Sequence, residues 1–142
     1  MVKQVSIFLE NRAGRLYEVT HLLAMNQLNI RALSLADTSD FGILRLIVND
    51  PTKAIEVLKK ENYTVSTTEV VAIEVKDKPG GLAEILGLFE TNKINIEYMY
   101  AFLGKEKETA IMIFRFDDNA NVLKKLEGKD IRLIDDKELY NL

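Results

Sequence analysis

The chain repeats itself. Val5 and Val71, Ile7 and Ile73, Gly14 and Gly80, Leu16 and Leu82, and Glu18 and Glu84 each lie 66 positions apart. The spacing holds for Leu22 and Leu88, Asn26 and Asn92, Asn29 and Asn95, and Ile30 and Ile96. It becomes 65 at Val57-Leu58-Lys59-Lys60 and Val122-Leu123-Lys124-Lys125. A repeat that stays in register this long means one structural unit used twice. Whatever the first half folds into, the second half must fold into as well. We place the two units at residues 1–69 and 70–142.

Within the first unit, Val5, Ile7 and Leu9 alternate at the period of two of a half-buried strand. After Gly14 the period changes: Leu16, Val19, Leu22 and Leu23 recur at helical spacing, as do Leu82, Ile85, Leu88 and Phe89 in the second unit. Residues 29–38 alternate again, Asp40 and Gly42 bracket a hairpin-like turn, and residues 43–48 form an apolar run. Asp50-Pro51 reads as a helix start with Asp as cap and Pro at the first helical position, and Tyr63 to Thr68 returns to β-prone residues. The second unit follows suit: a hairpin of Ile96–Leu103 and Thr109–Phe116 around Gly104-Lys105-Glu106-Lys107, a helix opened by Asp118, and a last strand at Ile131–Ile134. The order is β-α-β-β-α-β twice, so the expected fold class is α+β, with two ferredoxin-like units, each an antiparallel sheet with helices on one face.

Several function classes are disfavoured by composition. A net charge of −3 with mixed signs supplies no basic stripe for phosphates, so no nucleic acid is expected as a partner. With no cysteine there is no disulfide framework and no thiolate for metal or catalysis. The N-terminal apolar run is too short for a signal peptide and no stretch approaches a membrane span; a cytoplasmic protein that does not engage membranes is expected. His21, the single histidine, falls off the apolar face of its helix. Tyr98, Tyr100 and Phe102 alternate along one strand, but without a basic surround they read as a core or interface face and not as a base-stacking surface.

The turn between first strand and first helix carries the functional signal. In the second unit it reads Asp77-Lys78-Pro79-Gly80, followed by Asn92-Lys93-Ile94-Asn95-Ile96 at the start of the second strand. A β-α-β-β-α-β unit with D-x-P-G and N-I-N-I at these places resembles the ACT domain. The first unit departs slightly, with Asn11-Arg12-Ala13-Gly14, lacking the proline, and Asn26-Gln27-Leu28-Asn29-Ile30; its ENR-x-G wording is similar to the serine-sensing domain of bacterial phosphoglycerate dehydrogenase. The resemblance implies amino-acid binding at interfaces of paired domains, regulation of metabolism, and a controlled partner, a metabolic enzyme or regulator, outside this chain. It implies no cofactor and no enzyme activity of its own.

The residues themselves fit such a ligand. The first N–H groups of a helix lack intrahelical partners and lie at the positive end of its dipole, where a carboxylate belongs. Gly14 and Gly80 remove a Cβ from that approach, Asn11 and Asp77 are placed to accept from an ammonium, and Arg12, Arg15 and Arg31 flank the first turn. The candidate ligand-binding set is Asn11, Arg12, Ala13, Gly14, Arg15, Leu16, Asn29, Ile30, Asp77, Lys78, Pro79, Gly80, Gly81, Leu82, Asn95 and Ile96. A purely structural reading stands beside it: a glycine after a strand makes a tight turn, Asn or Asp before a helix caps it, and Asn29 and Asn95 serve as helix caps or turn residues. Two other functions compete with the sensor: a protein-protein adaptor without ligand, and a small hydrolase of ferredoxin-like fold, for which no nucleophile-base pair or metal cluster is visible.

Units of about 70 residues bury too little surface to stand comfortably alone, which favours a shared interface. The link between the two, residues 62–75, has no Gly, Pro or long polar spacer. Side-by-side pairing through second-strand edges inside one chain separates strand four from the next first strand by six spacings, about 29 Å. The few residues around Thr67 to Val70 span at most about 14 Å. Pairing of these edges between chains, in a homodimer, is therefore expected.

Overall fold

The computed structural model describes residues 1–37, 40–102 and 108–142. The chain divides into two compact units, one built on Lys3–Thr68 and one on Glu69–Tyr140. The first contains β1 (Val2–Glu10), α1 (Arg15–Met25), β2 (Ile30–Asp37), β3 (Phe41–Val48), α2 (Pro51–Lys60) and the first residues of β4 (Thr64–Lys76). Its strands are ordered β2-β3-β1-β4. The second takes over β4 and adds α3 (Gly81–Thr91), β5 (Ile96–Phe102), β6 (Thr109–Phe116), α4 (Asn119–Leu126), β7 (Arg132–Ile134) and α5 (Asp136–Tyr140). There β4 lies between β6 and β7, and β5 flanks β6.

Each unit is thus a ferredoxin-like antiparallel sheet with two helices on one face. In the first, Val5, Ile7 and Leu9 meet Leu44 and Leu46 across β3 under Val19 and Leu23 of α1 and Ala54 and Leu58 of α2. In the second, Val71, Ile73 and Val75 of β4 pack with Ile85 and Phe89 of α3 and Val122 and Leu126 of α4. Phe89 stands edge-on to Phe114 and Phe116, with centroids 5.2 and 5.4 Å away. The alternation at Tyr98, Tyr100 and Phe102 has its explanation in burial: Tyr100 and Phe102 are buried and Tyr98 half-buried, so none offers a free face to a base.

The sequence pattern needs correction at four places. The strand ending unit one and the strand opening unit two are a single element, β4, because nothing in TVSTTEVVAIEVK breaks extended backbone. Gly42 is not a turn residue; it lies inside β3, opposite Leu9 on one side and Asp37 on the other. The second helices are equivalent at 68 positions, not 65. Asp50 and Asp118 cap them through the N–H groups of Lys53 and Asn121, and Ala54 and Leu58 correspond to Val122 and Leu126 in burial. The two V-L-K-K stretches are therefore one helical turn out of step, a slip that returns to nearly the same helix face and so escapes a periodicity argument. Finally, α5 at the C-terminus carries no apolar period; its signal is local, with Asp135 accepting from the Glu138 N–H at 2.8 Å and Leu139 fully buried. The expected turn at Gly104-Lys105-Glu106-Lys107 lies outside the described residues.

The asparagines repeated three apart have separate jobs. Asn26 and Asn92 end α1 and α3, and their side-chain amides donate to Leu22 O and Leu88 O at 2.9 and 2.8 Å. The next residues, Gln27 and Lys93, take left-handed backbone at φ 59 and 54. Leu28 and Ile94 then donate back to Leu23 O and Phe89 O, closing a Schellman-type stop.

Candidate functional site

The two first turns are built alike. Asn11 N–H donates to Asp40 O at 3.1 Å and Asp77 N–H to Glu108 O at 2.9 Å, tying the end of the first strand to the neighbouring hairpin. Arg15 N–H then reaches Arg12 O and Gly81 N–H reaches Lys78 O, at 3.4 and 3.0 Å. Both helices start from a left-handed glycine, Gly14 at φ 90 and Gly80 at φ 87, and neither receives a side-chain cap. The capping explanation for Asn11 and Asp77 is thereby removed: α2 and α4 are capped by aspartates, whereas α1 and α3 keep their opening N–H groups without one. The glycines meet a conformational need, since few side chains tolerate that φ, and a Cβ at either would have nothing within 4 Å. The space over each helix start is open.

Where the turns diverge is one residue later. Gly81 is buried, and a Cβ on it would lie 2.0 Å from Lys76 O, so α3 leaves β4 at a distance only glycine permits. Its counterpart is Arg15. That guanidinium donates to Glu18 at 2.8 Å and lies over the Tyr63 ring, 5.1 Å from the centroid. The hydrogen bond to Glu18 raises the Arg15 pKa further above its ordinary value, which keeps the charge fixed. Burial raises the Tyr63 pKa, against the opposing pull of Arg15. The Arg15 Nε is buried with no hydrogen-bond partner.

A cleft of about 170 Å³ opens at the first turn, lined by Leu9, Glu10, Asn11, Arg12, Arg15, Leu16, Leu35 and Gly42. One end is charged: Arg12 and Glu10 pair at 3.4 Å, both well exposed. The other is aliphatic. Glu10, Leu9, Leu35 and Gly42 escape a reading that looks only at the turn. They arrive through strand register, and the alternation of β1 already puts Leu9 on the helix side. At the second turn the hollow of about 180 Å³ beside α3 is lined by Glu74, Lys76, Gly81, Glu84, Ile85, Asp130, Ile131 and Arg132. Of the predicted residues only Gly81 reaches it; Asp77, Lys78, Pro79 and Gly80 are exposed around it, and Leu82 is 37% exposed much as Leu16 is 38%. Arg132 there is held by Glu74 and Glu138, whose hydrogen bonds raise its pKa.

Four predicted residues lie elsewhere. Asn29 N–H donates to Asn49 Oδ1 at 2.9 Å and Asn49 N–H returns to Asn29 O, at the far end of β3 from Asn11. The eight residues of β3 separate them by about 25 Å. Asn95 precedes β5 as Asn29 precedes β2, while Ile30 and Ile96 are half-buried against the two cores. Within a unit, then, the turn and the second-strand asparagine do not meet. His21 is exposed and stacked on Tyr17 at 5.5 Å. Among the described residues no group of three or more His, Asp or Glu is arranged to hold a metal ion. Among the described residues no helix is long and apolar enough to cross a membrane.

The model of the ACT domain pair matches residues 1–142, the whole chain. The chain belongs to the ACT-domain-pair family. Its backbone is similar to the crystal structure of protein BT0572 from Bacteroides thetaiotaomicron, with TM-score 0.92 and 41% identity over 99% of this chain and 96% of that one. It also resembles the regulatory subunit of aspartate kinase from Thermus thermophilus, with TM-score 0.65 and 12% identity over 87% and 89%. The corresponding subunit from Thermus flavus gives TM-score 0.61 and 14% identity over 87% and 86%. At such identity these two show the fold alone. No curated protein sequence is detectably similar. ACT domains are regulatory, non-catalytic modules.

Proposed function

We propose that this ACT pair senses a free amino acid and controls an enzyme or regulator of amino-acid metabolism through a partner or through its own oligomer. The observation that carries this reading is the first turn: an uncapped helix start behind Gly14, opening on a cleft with a Glu10–Arg12 pair at its rim. A zwitterion matches it. Its carboxylate is placed against the α1 N–H groups with Arg12 and Arg15, and its ammonium against Glu10 and the Asn11 side chain. The regulatory subunits of aspartate kinase that share the fold support a role on an enzyme partner. Melting the protein with each of the twenty amino acids tests the reading. A ligand at 100 times its dissociation constant adds about 2.7 kcal/mol and raises the melting temperature by about 5 °C or more; no shift with any of them favours an adaptor.

Assembly explains the distant asparagines. Among the described residues β2 pairs with β3 alone, so its outer edge is free to take a second copy. In an antiparallel pair of β2 edges the first residues of one strand face the last residues of the other. Strand register puts Asp37, Gly42 and Leu9 in one row at the turn end. Asn29 of a second copy thus arrives near the cleft that its own unit cannot reach. Light scattering at micromolar concentration is expected to give about 32 kDa, twice the 16.2 kDa chain; a monomer that binds at full strength contradicts this pairing.

A further inference from the structure

We propose that the first-turn cleft selects an aliphatic amino acid and that Gly42 sets the largest side chain it accepts. This rests on the amino-acid reading above and narrows it to a ligand class. The cleft's two ends differ in kind. The rim carries Arg12 and Arg15 as cations for a carboxylate and Glu10, 3.4 Å from Arg12, as an anion for an ammonium. The inner end is formed by Leu9, Leu16, Leu35 and Gly42 and supplies neither a side-chain charge nor a side-chain hydrogen bond. A hydroxyl, carboxylate or ammonium pushed there loses water without replacement. An aliphatic side chain instead covers Leu35 and Leu16, which stand 51% and 38% exposed.

Gly42 faces this space. It pairs with Leu9, so both project to the helix-covered side of the sheet. A Cβ on Gly42 would lie 3.3 Å from Leu35 Cδ1, pressing on the aliphatic wall. Glycine widens the pocket where the ligand side chain ends. The second unit shows the alternative within the same chain: Ala110 pairs with Val75 as Gly42 pairs with Leu9, and Ala101 stands opposite Met112 where Leu35 stands opposite Leu44. There a methyl group stands at the position of Gly42, and the wall residue is an alanine and not a leucine.

Calorimetric titration with glycine, alanine, valine, leucine, serine, aspartate and lysine reads the selectivity. Affinity is expected to rise about fourfold for each carbon added from alanine to leucine, with serine, aspartate and lysine weaker than valine. Gly42→Ala should lower leucine affinity at least fivefold while changing that for alanine less than twofold. The new methyl presses on a flexible side-chain end, lies at an ordinary 3.7 Å from Ala36 O, and the backbone is not left-handed there, so the variant should fold. Leu35→Ala, at an exposed position, gives a second reading and should flatten the alanine-to-leucine series. Preference for a polar or charged amino acid, or equal responses of leucine and alanine to both substitutions, overturns the selectivity and leaves the sensor standing. Absence of binding by all seven overturns the selectivity, and only absence of binding by all twenty overturns the sensor as well.

Discussion

Gly81→Ala is expected to lower the melting temperature by about 10 °C, and Gly80→Ala, one residue earlier, by about one to two thirds as much. The two glycines are adjacent and share a turn, yet they are constrained by different physics. At Gly81 the constraint is space: a Cβ would sit 2.0 Å from the carbonyl oxygen of Lys76, a backbone atom that cannot rotate away. Relief requires α3 to move off β4, which also disturbs Ile85 and Phe89 beneath it. Overpacking of that kind costs about 3 kcal/mol. At Gly80 the constraint is backbone conformation alone, since φ is 87 and a Cβ meets nothing within 4 Å. A left-handed alanine costs about 1–2 kcal/mol. Thermal melts followed by circular dichroism compare the two directly. If Gly81→Ala melts within 2 °C of the parent, as an order of magnitude for a neutral change, the close approach of α3 to β4 described above is wrong.

Most of the fold was legible because two independent signals agreed. Hydrophobic period distinguished β1 from α1 and β4 from α3, and the repeat meant that each element was read twice. Register inside the sheets was less accessible. Gly42 looked like turn chemistry because Asp40 stands beside it; only pairing with Leu9 reveals it as a strand residue. The V-L-K-K match misled for a related reason, since a helix returns to the same face after one turn and sequence similarity cannot detect the slip. At the site, the turn residues were visible because glycine, asparagine and proline have local conformational roles. The cleft's far wall was not, because Leu35 comes to Leu9 through β3 and nothing in the local wording of β2 announces it. Asn29 and Asn95 were grouped with the turns by family pattern, and strand geometry moves them to the opposite end of their units.

Arg15 offers the largest expected change in ligand affinity. It is fixed by Glu18 and Tyr63 before any ligand arrives, so its charge costs little ordering when a carboxylate binds. Its Nε has no hydrogen-bond partner. Arg15→Met keeps an unbranched stem over Tyr63 and removes the donors. Losing a charged hydrogen bond costs about 1.5–3 kcal/mol, which corresponds to a weakening of roughly 10- to 100-fold. Glu18 is about half exposed and can be solvated once its partner is gone, so stability should change little.

Titrating the tightest-binding amino acid into the parent, Arg15→Met and Asp77→Ala proteins tests most directly whether an amino acid is held at the first turn. Arg15→Met is expected to weaken binding at least tenfold while Asp77→Ala leaves the strongest site intact. Parent-level affinity in Arg15→Met, together with loss of binding in Asp77→Ala, would contradict this and move the sensing site to the second turn.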